Sequence, residues 1–338
     1  MKQYKAENEK NLTISDIARE LGVSKTTVSR AISGKGRIGE ATRKRVREYI
    51  EVHNYRPNVI AKSLAQSKTF NIGVVLPSDT KQTEIPFFQS CLMGICDVAA
   101  GFEYDVVVIT ATENDIKLIE RLIRNHKVDG IVLTRPTVND MAIAYLKQTG
   151  IPFVIIGSVE DESIIQIDNH HIGGCCELTS VLLKLGYENI AFLSGSKYHI
   201  VNNNRYKGFK QAFDEQEKDI DERLVFLDFI SYVQIDRAVE LIMQQKPECI
   251  VCSDDVICSR LLIKLNELGY SVPKDIKVAS FYDSIHLANY NPPITSLKID
   301  IRALGIQAGK VLISLINGGE VSHQTLLDYE IVLKKSTM

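Results

Sequence analysis

From Phe70 onward the sequence alternates short Val/Ile-rich runs with amphipathic segments, and this alternation constrains the fold more than any other feature of its 338 residues. NIGVVLP, DVVVIT, VDGIVLT and PFVIIG read as strands, with helices expected at 87–101, 115–126 and 139–148 between them. A second series follows: IIQID, a helix from about 171 to 185, NIAFLSG, a helix from about 203 to 216, a short strand near 224–227, a helix at 232–244, CIVCS, a helix at 254–268, and IKVASF. Runs that are apolar throughout belong to strands covered on both faces, and strands joined through helices run parallel. The expected body is therefore two doubly wound lobes of similar size. Ligand groups in such a body sit on loops at the carboxyl ends of the strands, facing the cleft between the lobes.

Ahead of the body lies LTISDIARELGVSKTTVSRAISG, residues 12–34. Ile14, Ile17, Ala18 and Leu21 recur at helical spacing, Thr13 can cap the helix start, and Asp16 is placed to close a capping box. Gly22 ends that helix, and Ser24 can cap a second one with Val28 and Ile32 inward. Lys25, Thr26, Thr27, Ser29 and Arg30 are left as polar positions at or near its N-terminal end, the part of a helix-turn-helix that reads DNA. Spacing alone is equally compatible with a helical hairpin in a small bundle. Charge favours the DNA reader: residues 1–69 hold 15 Lys+Arg against 7 Asp+Glu, and the remainder 25 against 35. A basic end on an acidic body localises polyanion binding.

A third helix is expected over 40–53, with Val46 and Ile50 inward. Its Thr42, Arg43, Lys44 and Arg47 suit phosphate contacts, or simply a solvated basic face. In YRPNVIAKSLAQSKT, residues 55–69, Pro57 stops the third helix and Asn58 can cap a short new one with Ile60, Ala61, Leu64 and Ala65 on its apolar side. So short a helix is marginal alone and needs a twin or a DNA groove to pack against. The alternative is a plain linker.

Other classes are disfavoured. The start MKQYKAENEKN lacks a secretory apolar run and no stretch is long enough to span a membrane, so a cytoplasmic protein is expected. Seven cysteines without an export signal argue against a disulfide scaffold, and Cys249 and Cys252 of ECIVCSDD read as core thiols on a buried strand. No glycine-rich phosphate loop follows the first strand, no His–nucleophile pairing is recognisable, and Asp254–Asp255 has no partner motif for metal catalysis. Neither an enzyme nor a cofactor or metal site is expected.

These motifs, together with ATRKRV, YRPNVIAKSL, IDNHHIGG, LLKLGYENIAFLSG, NRYKGFKQAF, VPKDIKVASFYDS, PPITSLKID and a terminal KKST, resemble the lactose/galactose repressor (LacI/GalR) family of bacterial transcription regulators over residues 12–337. DFISYVQ, SDD, SFYDS and SLKIDIRALG are most similar to its maltose repressors. The resemblance implies an all-helical lambda-repressor-like helix-turn-helix headpiece (1–57), a hinge helix and linker (58–69), and a two-lobed α/β domain like periplasmic binding proteins, with two doubly wound parallel sheets (70–338). It implies a first lobe of 70–166 and 299–321, and a second of 168–297 and 324–338. DNA contacts would come from Thr13, Ser24, Lys25, Thr26, Thr27, Ser29, Arg30, Arg37, Thr42 and Tyr55, and in the hinge from Asn58, Ala61, Lys62 and an intercalating Leu64. Lys25 departs from the commoner aromatic or small residue at its position.

In the cleft, the resemblance makes Arg205 the residue that grips the effector and Asp255 an acidic partner, although an aspartate there could merely cap the next helix. Asp283 and Tyr282 lie in a third strand-end loop, where Tyr282 could stack on a sugar or pack between lobes. Phe87 and Phe88 follow Pro86, and at least one should belong to the buried face of its helix. Arg135 follows a strand end, facing the cleft or a surface turn. Asp168 is expected to brace the crossover, with His170 and His171 starting the following helix. The implied partners are pseudo-palindromic double-stranded operator DNA, a saccharide effector and a second copy of the chain. A dimer is favoured over a tetramer because no leucine-rich tail follows the last strand. A catabolite-control regulator activated by a phosphocarrier protein and a sugar-binding or transport receptor are the competing functions. The missing signal and basic headpiece oppose the receptor.

Overall fold

The computed structural model describes residues 12–34, 36–55, 63, 66–79 and 85–338. It separates into two units, Met1–Thr69 and Phe70–Met338. The hinge residues Asn58, Ala61, Lys62 and Leu64 lie outside the described residues.

In the first unit, α1 (Ile14–Leu21), α2 (Lys25–Ser33) and α3 (Glu40–Val52) share one small core. Thr13 and Asp16 form the capping box: the Asp16 N–H donates to Thr13 Oγ1 at 3.3 Å and the Thr13 N–H to Asp16 Oδ2 at 3.1 Å. Gly22 closes α1 at φ 66°, a left-handed conformation that costs glycine little. Ser24 then caps α2, its Oγ accepting the Thr27 N–H at 3.0 Å. Helices this short do not persist alone, and Ile17, Ala18, Val28, Ala31 and Val46 hold them by mutual burial. Arg45 adds a tie by donating to the Leu21 carbonyl at 3.1 Å.

The second unit contains two six-stranded sheets. The first comprises β1 (Asn71–Pro77), β2 (Asp105–Ala111), β3 (Gly130–Leu133), β4 (Phe153–Ile156), β5 (Gln166–Asn169) and, late in the chain, β11 (Gln324–Leu327), in the order β11-β5-β4-β3-β1-β2. The second comprises β6 (Ile190–Leu193), β7 (Val225–Phe226), β8 (Cys249–Cys252), β9 (Lys277–Ser280), β10 (Thr295–Ile299) and β12 (Tyr329–Val332), in the order β12-β10-β9-β8-β6-β7. Every pair is parallel except β10–β12, so the doubly wound second sheet carries one antiparallel edge. Helices α4 (Ile85–Gly101), α5 (Lys117–Arg124) and α6 (Met141–Thr149) serve the first lobe, and α7 (His171–Lys184), α8 (Ile200–Asp214), α9 (Tyr232–Gln244), α10 (Asp255–Glu267) and the short α11 (Ile285–Ala288) the second. Cys249 and Cys252 are buried on β8, where burial pushes both thiols well above their ordinary range. Among the described residues no cluster suited to a metal ion is found and no helix is long and apolar enough to cross a membrane.

The crossovers need correction by a few residues. Asp168 and Asn169 still belong to β5 in the first sheet, so the chain leaves that lobe at His170. β10 continues through Ile299 in the second sheet before α12 (Ile301–Ile316) returns to the first lobe. Residues 324–327, expected in the second lobe, pair with β5 in parallel from Gln324↔Gln166 to Leu327↔Asn169. Only after Asp328 does β12 run antiparallel to β10. QTLLDYEIV reads as one extended run, but its halves fill edge positions of different sheets.

The return of α12 depends on close contact with α4. A Cβ on Gly305 would lie 2.0 Å from the Cys91 carbonyl oxygen, and one on Gly94 2.3 Å from that of Arg302. Neither gap can open without moving a helix backbone. Arg302 completes the contact with an ion pair to Asp97 at 2.6 Å. Gly305→Ala should therefore destabilise the second unit by about 1–3 kcal/mol, the usual range for overpacking. Thermal unfolding followed by circular dichroism checks this, and an unchanged midpoint would disprove the tight contact.

Candidate functional site

On α2, Lys25 and Thr26 are exposed in the first turn, Ser29 in the middle and Arg30 in the last turn, while Val28 and Ala31 of the same helix are fully buried. Thr13, Ser24 and Thr27 also lie here, but each has a structural duty: Thr13 and Ser24 cap their helices, and the Thr27 hydroxyl lies 2.9 Å from Ser24 Oγ. Arg37 is exposed and Thr42 half-buried at the start of α3. Tyr55 packs with Ile17, Val28 and Val46 in the headpiece core. Burial also raises its hydroxyl pKa.

The second unit contains a cleft of about 950 Å³, open to solvent, between the strand ends of its two sheets. Parallel strands put their carboxyl ends on one side, so the loops after β3, β4, β5, β8 and β9 reach it together. Phe87, Phe88, Arg135, Arg205, Asp255 and Tyr282 all line it. Phe88 is buried at the start of α4, whereas Phe87 is half-buried and meets Tyr282 of the other lobe at 6.2 Å between ring centroids and 66° between planes. Burial pushes the Tyr282 hydroxyl well above its ordinary range. Arg135 pairs with Asp79.

Asp283 does not join this set. Its carboxylate accepts from Lys334 Nζ at 2.9 Å and from Ser296 Oγ at 2.8 Å, ties that fasten the β9 loop to the C-terminal segment and to β10. The helix-capping role left open for Asp255 is taken by Asp254, whose Oδ1 accepts the Ile257 N–H at 2.9 Å. Asp255 is consequently held in the cleft wall. Burial, reinforced by Asp254, pushes its carboxyl up to about 6, against the opposing pull of Ser284 and Arg205.

Asp168 braces the first crossover and also lines the cleft. It accepts from Ser158 Oγ and, at 2.8 Å, from the Asn169 N–H, and His171 Nε2 lies 3.3 Å from its Oδ1. Burial would raise this carboxyl, but His171 and the hydrogen bonds outweigh it and hold it below its ordinary value. His170 caps α7, its Nδ1 accepting the Gly173 N–H at 3.1 Å.

Sequence reasoning found Arg205 but missed Asn169 and Asn202 and gave His171 no part in the cleft. Both side-chain polar atoms of Asn169, Nδ1 of His171, Oδ1 of Asn202 and Nε of Arg205 are buried here without a hydrogen-bond partner among the described residues. Each such atom costs about 1–3 kcal/mol until something pairs with it. Donors and acceptors are mixed within one cavity, which suits a ligand whose groups do both. Spacing offered one clue, since Asn202 precedes Arg205 by three positions and so shares its helix face.

Comparison with known proteins matches residues 13–58 to the profile described as "Bacterial regulatory proteins, lacI family" and residues 179–337 to "Periplasmic binding protein-like domain". The HTH-type transcriptional regulator MalR of Staphylococcus xylosus is 30% identical over 331 residues, covering 96% of this chain and 98% of that protein. Catabolite control protein A of Priestia megaterium is 28% identical over 334 residues, covering 97% and 99%. Among solved structures, a lac repressor dimer bound to operator and the anti-inducer ONPF superposes with a TM-score of 0.78 at 24% identity, covering 97% of this chain and 100% of that one.

The Asp255 carboxyl gives a pH test. Its ordinary value is 3.8 and its folded value about 6, so between these the native state holds the proton more tightly than the unfolded chain. The stability contribution of Asp255 should therefore fall as pH rises through that window and stay low above it. Asp255→Asn should raise the melting temperature relative to wild type at about pH 8 but not at about pH 4. Equal shifts at both pH values would contradict the burial argument.

Proposed function

The chain belongs to the lacI family of bacterial regulatory proteins, and from that premise we propose that it is a sequence-specific DNA-binding repressor of a carbohydrate-utilisation operon, released from its operator by a sugar such as maltose or a related disaccharide. The observation that carries the ligand assignment is the set of buried, unpartnered polar atoms on Asn169, His171, Asn202 and Arg205. A sugar hydroxyl donates and accepts at once, so one polyol can satisfy all of them. Phe87 and Tyr282 supply rings for the apolar faces of a pyranose. Arg135 is paired with Asp79, and Arg205 faces a wall containing Asp168, Asp254 and Asp255, which favours a neutral sugar over a phosphorylated one.

DNA recognition is assigned to Lys25, Thr26, Ser29 and Arg30, supported by Arg37 and Thr42, with capping by Thr13 and Ser24 fixing the helix starts. Asn58, Ala61, Lys62 and Leu64 are assigned to the minor groove. Two copies of the chain would present two headpieces to a near-palindromic operator in the cytoplasm. Phosphate contacts make the affinity strongly salt dependent. Sugar binding weakens DNA binding only by as much as the free and operator-bound forms differ in their affinity for the sugar.

One observation favours a second reading. Catabolite control protein A matches this chain over the same length and at nearly the same identity as MalR. In that reading a phosphocarrier protein raises DNA affinity. Titrating operator binding with maltose, and separately with the phosphorylated carrier, tests the proposal: release by the sugar supports it, and strengthening by the carrier alone replaces it.

Lys25→Ala and Thr26→Ala should each reduce the preference for operator over random duplex by about 1–3 kcal/mol, measured by fluorescence anisotropy at fixed salt. Equal losses on both duplexes would remove them as base readers. Arg205→Ala should abolish release by sugar while leaving operator affinity intact, and a full response in that variant would exclude Arg205 from the site.

A further inference from the structure

The lobes of the second unit meet not only at the crossovers but also through two loops. Thr137, after β3, and His199, before α8, form an isolated antiparallel bridge, and the Val138 N–H donates to the Tyr198 carbonyl at 3.0 Å. Each loop is stiffened from within its own lobe. Asp140 caps α6 and with its other oxygen accepts from both the N–H and the hydroxyl of Thr137 at 3.1 Å. On the facing side, Asn202 Nδ2 donates to the Ser196 carbonyl at 2.9 Å. The bridge therefore joins two preformed loops, and rotating one lobe against the other would break it as a unit.

Asn202 has a second role available. It is 5% exposed, lines the cleft, and its Oδ1 has no partner among the described residues. One end of the amide holds the bridge loop while the other is offered to the cavity. We propose that the Thr137–Val138 and Tyr198–His199 bridge is a backbone latch that holds the cleft closed, and that Asn202 is the positioning residue that couples ligand occupancy to it. This rests on reading the cleft as a saccharide site. A donor hydroxyl on Oδ1 would fix the amide plane and with it the Ser196 carbonyl, tightening the loop that the Val138 N–H must reach.

Hydrogen exchange of the Val138 amide, read by NMR on the full chain, tests the latch. Wild type should show protection there. Asn202→Ala, and Asn202→Asp, which keeps a cleft-facing oxygen but loses the donor to Ser196, should exchange at Val138 at least about tenfold faster while the Gly130–Leu133 amides stay unchanged. An unprotected Val138 in wild type, unchanged exchange in both variants, or equal acceleration of the strand and the loop would overturn the proposal. Maltose, with binding followed by calorimetry, should slow Val138 exchange in wild type and not in Asn202→Asp. Binding to wild type without that slowing overturns the coupling. Absence of maltose binding counts against the sugar reading instead, and the exchange rates of the variants still decide the latch.

Discussion

The contact between α12 and α4 is what makes the two-lobed body possible. After β10 the chain must return from the second lobe and settle on the first, and it does so where Gly94 and Gly305 let two helix backbones approach more closely than any side chain would permit. With α12 fixed, β11 can take the edge beside β5, and the chain must cross once more to place β12 beside β10. Passage between the lobes is thus confined to short segments at His170, Asp300 and Asp328. Close-packed lobes joined by such segments move as bodies rather than deform.

That confinement gives the cleft its character. Strand ends from both lobes bring Asp168, Asn169 and Tyr282 to one cavity with helix residues Asn202, Arg205 and Asp255. Several of their polar atoms are buried and unpaired, and Asp255 is pushed toward neutrality by burial beside Asp254. A folded chain retains such costs where a ligand repays them. The headpiece follows the opposite rule: Lys25, Thr26, Ser29 and Arg30 on α2 face solvent, and Val28 and Ala31 of the same helix are buried in its core.

Local chemistry was legible in the sequence wherever one element decides it. Thr13, Gly22 and Ser24 announce the helix-turn-helix because capping is settled within a few residues, and the apolar runs announce inner strands such as β1, β3, β4, β6 and β8 because strands covered on both faces need them. Phe87 and Tyr282 could be placed at the cleft because strand ends there converge, and Arg205 and Asp255 because the family resemblance implies it. What the sequence did not disclose depends on partners distant along the chain. Asp283 turns to Lys334, fifty-one positions away, and Tyr55 is drawn into a core built by three helices. Asp328 separates two strands only because the edges they fill belong to different sheets. The unpaired atoms of Asn169 and Asn202 are a property of burial, which spacing does not report.

The central claim is that DNA and a sugar are linked ligands of one chain. Calorimetric titration of maltose into the protein, alone and saturated with its operator, tests it most directly. The account predicts weaker sugar binding to the operator complex, by the same factor by which saturating sugar weakens operator binding. Identical sugar affinities in the two titrations would contradict it.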